Sequence, residues 1–175
     1  MPDNVSSSLF KTGTKLSGLT LAGLLAAAGV LLSGVCFPVG PTKCFPFQHT
    51  VNVISGILLG PWWAIGVACT TSVIRIFMGT GTIFAFPGSI PGALMVGIIY
   101  KFSGKDWAAF AEPLGTGPIG ATISALVLGP AIGRGVGLWA LQAAFLISSI
   151  PGCIIGFLFI VTLRKTGIIR RLNLG

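Results

Sequence analysis

The sequence predicts an all-α membrane protein: one domain over residues 1–175, built as a bundle of six membrane-crossing helices with both termini cytoplasmic. Three observations predict it. The chain is 53% hydrophobic and 8% charged with mean hydropathy +0.95, which leaves too few polar residues to coat a soluble globule of 175 residues. Its apolar runs follow one another with only short polar intervals. Its cations, eleven Lys and Arg against Asp3, Asp106 and Glu112, sit between and beside those runs. A nucleic-acid partner would require them gathered on one soluble face, so the formal charge of +8 is better explained by membrane topology.

The first run, Leu16 to Val35, holds no charge over the roughly 20 residues that cross a hydrocarbon core of about 30 Å. A secretory signal would be shorter and would end at a small-residue cleavage site before a polar domain, so this segment is expected to be retained. The further candidate spans are Phe45 to Leu59, Trp62 to Phe77, Ile83 to Tyr100, Leu114 to Ile132 and Val136 to Leu163. The uncertain junction is Gly60-Pro61, within a charge-free stretch from Phe45 to Ile74. Cations near span ends favour the cytoplasm, and six crossings place Lys11, Lys15, Lys101, Lys105, Arg164, Lys165, Arg170 and Arg171 on one side. Fusing the second and third spans would strand the last six outside, so Gly60-Pro61 is read as a tight cytoplasmic turn. Lys43 and Arg134 are the outward exceptions. The short spans two to four, with Pro87, Gly88, Pro91 and Gly92 at the start of the fourth, point to a cavity at the outer face beside the loop from Gly79 to Ser89.

Several chemistries are excluded. The four cysteines, Cys36, Cys44, Cys69 and Cys153, form no C-x-x-C pair and no ligand set with His49, so no metal site is expected and the thiols are read as small apolar residues rather than a disulfide framework. Asp106 and Glu112 fall in the polar interval from Ser103 to Glu112 and are read as solvated loop charges rather than a catalytic pair. No nucleophile–base constellation can be assembled, and no enzyme or cofactor is expected. Gly79-Thr80-Gly81-Thr82 lacks the lysine and strand-to-helix setting of a phosphate loop, so the chain does not use ATP by itself. With no Asp or Glu in the expected spans to relay protons, energy for uphill transport would come from a partner. The echoes of Leu59-Gly60-Pro61 in Leu128-Gly129-Pro130, and of Gly79-Thr80-Gly81 in Gly115-Thr116-Gly117, are attributed to a content of 26 glycines.

Phe47-Gln48-His49, Asn52-Val53, Gly56, Leu59-Gly60-Pro61-Trp62, Arg75, Gly79-Thr80-Gly81-Thr82 and Ala85-Phe86-Pro87-Gly88-Ser89 together resemble the ThiW family of substrate-binding S components of energy-coupling-factor (ECF) transporters. The resemblance covers most of the chain, with Gln48 to Tyr100 its specific part. It implies a cell-membrane, multi-pass subunit that captures a thiamin precursor, the hydroxyethylthiazole moiety, from outside. It further implies a transmembrane T component and two cytoplasmic ATPase subunits as partners. Alternatives are a stand-alone channel or facilitator for a small neutral solute, and an S component for the hydroxymethylpyrimidine precursor. The family's Ala-x-x-x-Ala coupling pattern matches Ala22 and Ala26, on a small-residue strip with Gly18 and beside Gly23 and Ala27. Such a strip lets another helix approach closely, as a partner surface or as packing within the bundle.

Arg75 is costly in a membrane and no acid is near it in sequence, so its donors must meet carbonyls, hydroxyls or ligand. It either orders the loop Gly79 to Thr82 or touches the substrate by donating to a ring nitrogen or hydroxyl or by stacking on the heterocycle. Asn52, Thr80, Thr82 and Ser89 are candidate polar groups for a neutral heterocycle with an alcohol arm, and Trp139 and Gln142 a candidate stacking face and amide. Trp139 also fits an interfacial belt, and Trp62 and Trp63 cytoplasmic-interface anchors. Gln48 and His49 are placed at the rim, where His49 is either a loop residue or a ligand contact.

Overall fold

The computed structural model describes residues 3–39, 42–133, 135, 137–167 and 169, with side chains from residue 16 onward apart from 38, 39, 42 and 43. The expectations placed on the side chains of Lys11, Lys15 and Lys43, and on Arg134, Arg170 and Arg171, lie outside the described residues.

Six helices carry the fold. They are α1 (Asp3–Leu32), α2 (Pro46–Leu59), α3 (Pro61–Phe77), α4 (Ile90–Ser103), α5 (Asp106–Ala131) and α6 (Leu138–Lys165). A 3₁₀ turn, Ile83–Ala85, leads into α4. Two three-residue strands, β1 (Phe37–Val39) and β2 (Thr42–Cys44), form an antiparallel ribbon with Phe37 opposite Cys44. Three residues are too few to carry a readable alternation, so the ribbon has no sequence signature. Cys36 precedes the ribbon and Cys44 ends it, both as free thiols, and the Cys44 Sγ donates to the Ile147 carbonyl at 3.2 Å.

Helix α4 together with the 3₁₀ turn before it, α5 and α6 are long and apolar enough to cross a membrane, over Ile83–Ser103, Asp106–Ala131 and Leu138–Lys165, and Leu16–Leu32 is a shorter apolar stretch. The remaining two, at 14 and 17 residues, fall short of a crossing by themselves. Helix α2 is instead sheathed by its neighbours, with every residue from His49 to Ile57 buried. Proline at the first turn of α3 needs no backbone donor there, and Gly60 at φ +82° supplies the left-handed step that separates α2 from α3, so the Gly60-Pro61 break is real. Odd-numbered helices run one way through the bundle and even-numbered ones return. Close approach on α2 depends on missing side chains: a Cβ at Gly156 of α6 would lie 2.8 Å from Val53 Cβ.

One sequence expectation is corrected. The interval read as a solvated loop reduces to Gly104 and Lys105, because α5 begins at Asp106 rather than Leu114. Asp106 accepts from Arg164 Nε at 2.8 Å, and Arg164 Nη2 also donates to the Tyr100 hydroxyl, clamping the ends of α4, α5 and α6. Glu112 is a fully buried helix residue, not a loop charge. Past it, α5 widens into π-helical turns over Gly115–Ala121 and Ser124–Leu128. Pro118 lies in the first of these; it has no N–H to donate and its ring would crowd the preceding turn of a regular helix.

Ala22 and Ala26, read in sequence as a partner surface or as packing within the bundle, are buried in a cluster with Val51 of α2 and Val67 of α3, and Thr71 Oγ1 donates to the Ala26 carbonyl at 3.5 Å. Gly18 on the same face lies against Trp63. The small residues therefore seat α1 on its own bundle, while Gly23 and Ala27 face outward with Leu16, Leu24 and Leu31. Overpacking predicts a contrast between adjacent alanines. Ala26→Leu should destabilise the purified protein by about 1–3 kcal/mol, whereas Ala27→Leu should stay within about 0.5 kcal/mol of wild type, as read by thermal unfolding in detergent.

Candidate functional site

A cavity of about 650 Å³ lies at the end of the bundle where α1 and α3 finish and α2, α4 and α6 begin. That volume suits a small organic molecule. The turn after α1 contributes Ser33, α2 Gln48 and His49, α3 Arg75, and the loop after α3 Gly79 to Thr82; Phe45, Phe84 and Phe145 supply aromatic walls, and Ser148 a hydroxyl on α6. Broken backbone gathers here for a physical reason. Carbonyls and amides left without helical partners are tolerated in an apolar bundle only where other groups or a cavity meet them.

Arg75 is 2% exposed and is built into this wall. Its carbonyl accepts from the Thr80 and Gly81 amides at 2.9 and 3.0 Å, and its Nη2 donates to the Thr80 carbonyl at 3.2 Å. Its guanidinium carbon sits 4.7 Å from the Phe45 ring centroid, a cation–π contact that helps hold a buried cation. The loop-ordering contact expected of Arg75 is thus present. Its Nε, however, is buried without a partner among the described residues, an unusual state for an arginine donor.

Beneath the cavity lies a polar network that the sequence reading did not assemble. His49 Nδ1 and Glu112 Oε1 are 2.7 Å apart, and both side chains are buried. The same oxygen accepts from Asn52 Nδ2 at 3.1 Å and from Thr116 Oγ1 at 2.7 Å. Asn52 also donates to the Ser89 carbonyl at 3.3 Å, and its Oδ1 accepts from Ser89 Oγ at 2.9 Å. Gly92 makes room for this: a Cβ there would lie 2.5 Å from Glu112 Oε1. Glu112 Oε2 has no partner among the described residues.

Of the residues singled out in sequence, Arg75, Thr80, Thr82 and His49 line the cavity together. Asn52 and Ser89 stand behind it, bonded to each other and, through Asn52, to Glu112. Trp139 is 80% exposed on the exterior, and Gln142 is half-buried and not among the lining residues. Glu112 and the aromatic walls were missed. A signal for Glu112 was available: Glu112 and Thr116 are one helical turn apart, as are His49 and Asn52, and no helix breaker separates Asp106 from Glu112. Among the described residues no group of His, Cys, Asp and Glu could hold a metal ion.

A comparison with curated proteins gave no match. The family described as "Thiamine-precursor transporter protein (ThiW)" matches residues 19–166, a stretch that includes every residue lining the cavity and the whole network under it. Together with the three long apolar helices, this makes the protein a membrane protein concerned with transport. On that coverage, the chain belongs to the ThiW family of thiamine-precursor transporters.

Proposed function

We propose that this protein is the substrate-capturing S component of an ECF transporter in the cell membrane, and that it binds the hydroxyethylthiazole precursor of thiamin in the cavity around Arg75. The observation that carries the proposal is the cavity itself: an aromatic, arginine-bearing pocket of about 650 Å³ at one end of an apolar bundle, in a chain of a thiamine-precursor family. Phe45, Phe84 and Phe145 suit the faces of a heterocycle, and Arg75 and His49 suit its polar edge.

Orientation follows from charge. Lys101, Lys105, Arg164 and Lys165 belong to the end opposite the cavity, where Arg164 meets Asp106. The preference of cations for the cytoplasmic side turns that end inward and the cavity outward, with six crossings and both termini inside. In this arrangement α2 and α3 complete their crossings within the sheath of the other helices, and Trp62 and Trp63 anchor the cytoplasmic interface.

The chain has no phosphate cradle, so the ECF reading assigns ATP use to a T component and two ATPase subunits. The further argument from acid-free spans no longer holds, because Glu112 is buried in α5 beside His49. That pair favours a second reading, a stand-alone carrier driven by protons, since buried acids and histidines serve as relays in such proteins. Reconstitution separates the two. The S-component reading expects thiazole uptake into liposomes only with the ATPase module and ATP; uptake by this chain alone under a pH gradient would establish the second.

Mass spectrometry of small molecules retained by the purified protein should find the thiazole alcohol; recovery of the pyrimidine precursor or intact thiamin instead would replace the substrate. For Arg75→Ala, the affinity for hydroxyethylthiazole should fall at least about tenfold, the loss of a charged hydrogen bond, while the protein still purifies as a folded monodisperse species. Unchanged affinity would confine Arg75 to ordering the loop.

A further inference from the structure

Glu112 has three neighbours on one oxygen. The Ser89 carbonyl can only accept, so the Asn52 amide is oriented with its NH₂ toward both that carbonyl and Glu112 Oε1. Thr116 donates to the same oxygen. With Oε1 accepting from both, an ionised Glu112 takes the third contact, at 2.7 Å, from a proton on His49 Nδ1. The ring's other nitrogen, Nε2, has no protein partner among the described residues, and His49 lines the cavity. In the neutral ring that nitrogen is an acceptor.

We propose that Glu112, braced by Asn52 and Thr116, is a positioning residue that holds His49 with Nε2 bare, and that His49 thereby selects a neutral heteroaromatic ligand carrying a hydroxyl donor. This rests on the cavity being the ligand site. Arg75 offers only donors and His49 Nε2 only an acceptor, so the two sides of the cavity ask for different groups. A ligand with an acceptor but no donor satisfies Arg75 and leaves Nε2 unpaired, and a site built around a hydrogen bond rejects analogues that lack it. The imidazole is fixed from below by a buried carboxylate, so the preference does not relax by ring rotation.

His49 is the only histidine of the chain, so ¹⁵N-histidine labelling of the purified full-length protein gives one unambiguous ring. Wild type should show protonated Nδ1 and bare Nε2. Glu112→Met keeps the length of the side chain but offers Nδ1 no oxygen, and should release the ring proton to Nε2. In parallel, hydroxyethylthiazole and its methyl ether, which can accept but not donate, are titrated against both proteins. Wild type should prefer the alcohol by at least about tenfold, the scale of one hydrogen bond, and Glu112→Met should close most of that gap. The steric cost of the methyl group is common to both proteins and drops out of the comparison. A protonated Nε2 in wild type, or an alcohol-to-ether ratio equal in both proteins, overturns the inference. If wild type binds neither compound, the thiazole reading fails and the selected hydroxyl ligand with it, while the ring spectrum still decides whether Glu112 holds the tautomer.

Discussion

Burying the Glu112 carboxylate in an apolar bundle carries a cost that packing cannot repay, and much of the architecture answers it. A carboxylate taken out of water stays buried only where donors replace its hydration. His49 and Asn52, one turn apart on α2, and Thr116, one turn along α5, are those donors. They fix the rotational setting of α2 against α5. Gly92 lets α4 close over the same oxygen, and Ser89, through Asn52, ties the start of α4 into the group. The helix that supplies most of the donors is also the most deeply buried, so the polar centre and the packing centre coincide.

The cavity is a consequence of that arrangement. With α2 held from below, its first turn presents Gln48 and His49 to the space between α1, α3 and α6. The opposite wall is set by Arg75, which closes the loop after α3 through its own carbonyl and guanidinium and rests on Phe45. Two ionisable side chains therefore border one chamber from different helices, each with a buried polar atom nearby that has no partner among the described residues, Arg75 Nε and Glu112 Oε2. Buried unpaired groups of this kind are uncommon in stable cores and are concentrated where ligands bind.

Small residues serve two ends here. Ala22 and Ala26 bring α1 close to α2 and α3, and Gly156 brings α6 close to α2. In lipid, where apolar burial between helices gains little, such close approach is a main source of association. A small-residue strip cannot announce which helix it faces, because the same spacing fits a neighbour in the chain or a separate subunit. Only the position of α2 and α3 assigns Ala26 inward and Ala27 outward.

What the sequence determined alone was whatever depends on composition and local chemistry. Its hydropathy required an apolar helical protein, its Gly60-Pro61 step required a break between α2 and α3, and the run from Gln48 to Ser89 carried the family likeness and named His49, Asn52, Arg75, Thr80, Thr82 and Ser89 as candidates, of which Asn52 and Ser89 stand behind the cavity. Tertiary structure alone decided the partners of the charges. Asp106 and Glu112 are six residues apart and look alike as sequence, yet one meets Arg164 at an exposed helix end and the other lies buried against His49. The same holds for Trp139, outside the cavity, and for Phe45, Phe84 and Phe145, inside it. Whether a charge is solvated or buried, and whether an aromatic ring faces lipid or ligand, depends on groups far away in the chain, and that proximity exists only once the helices have packed.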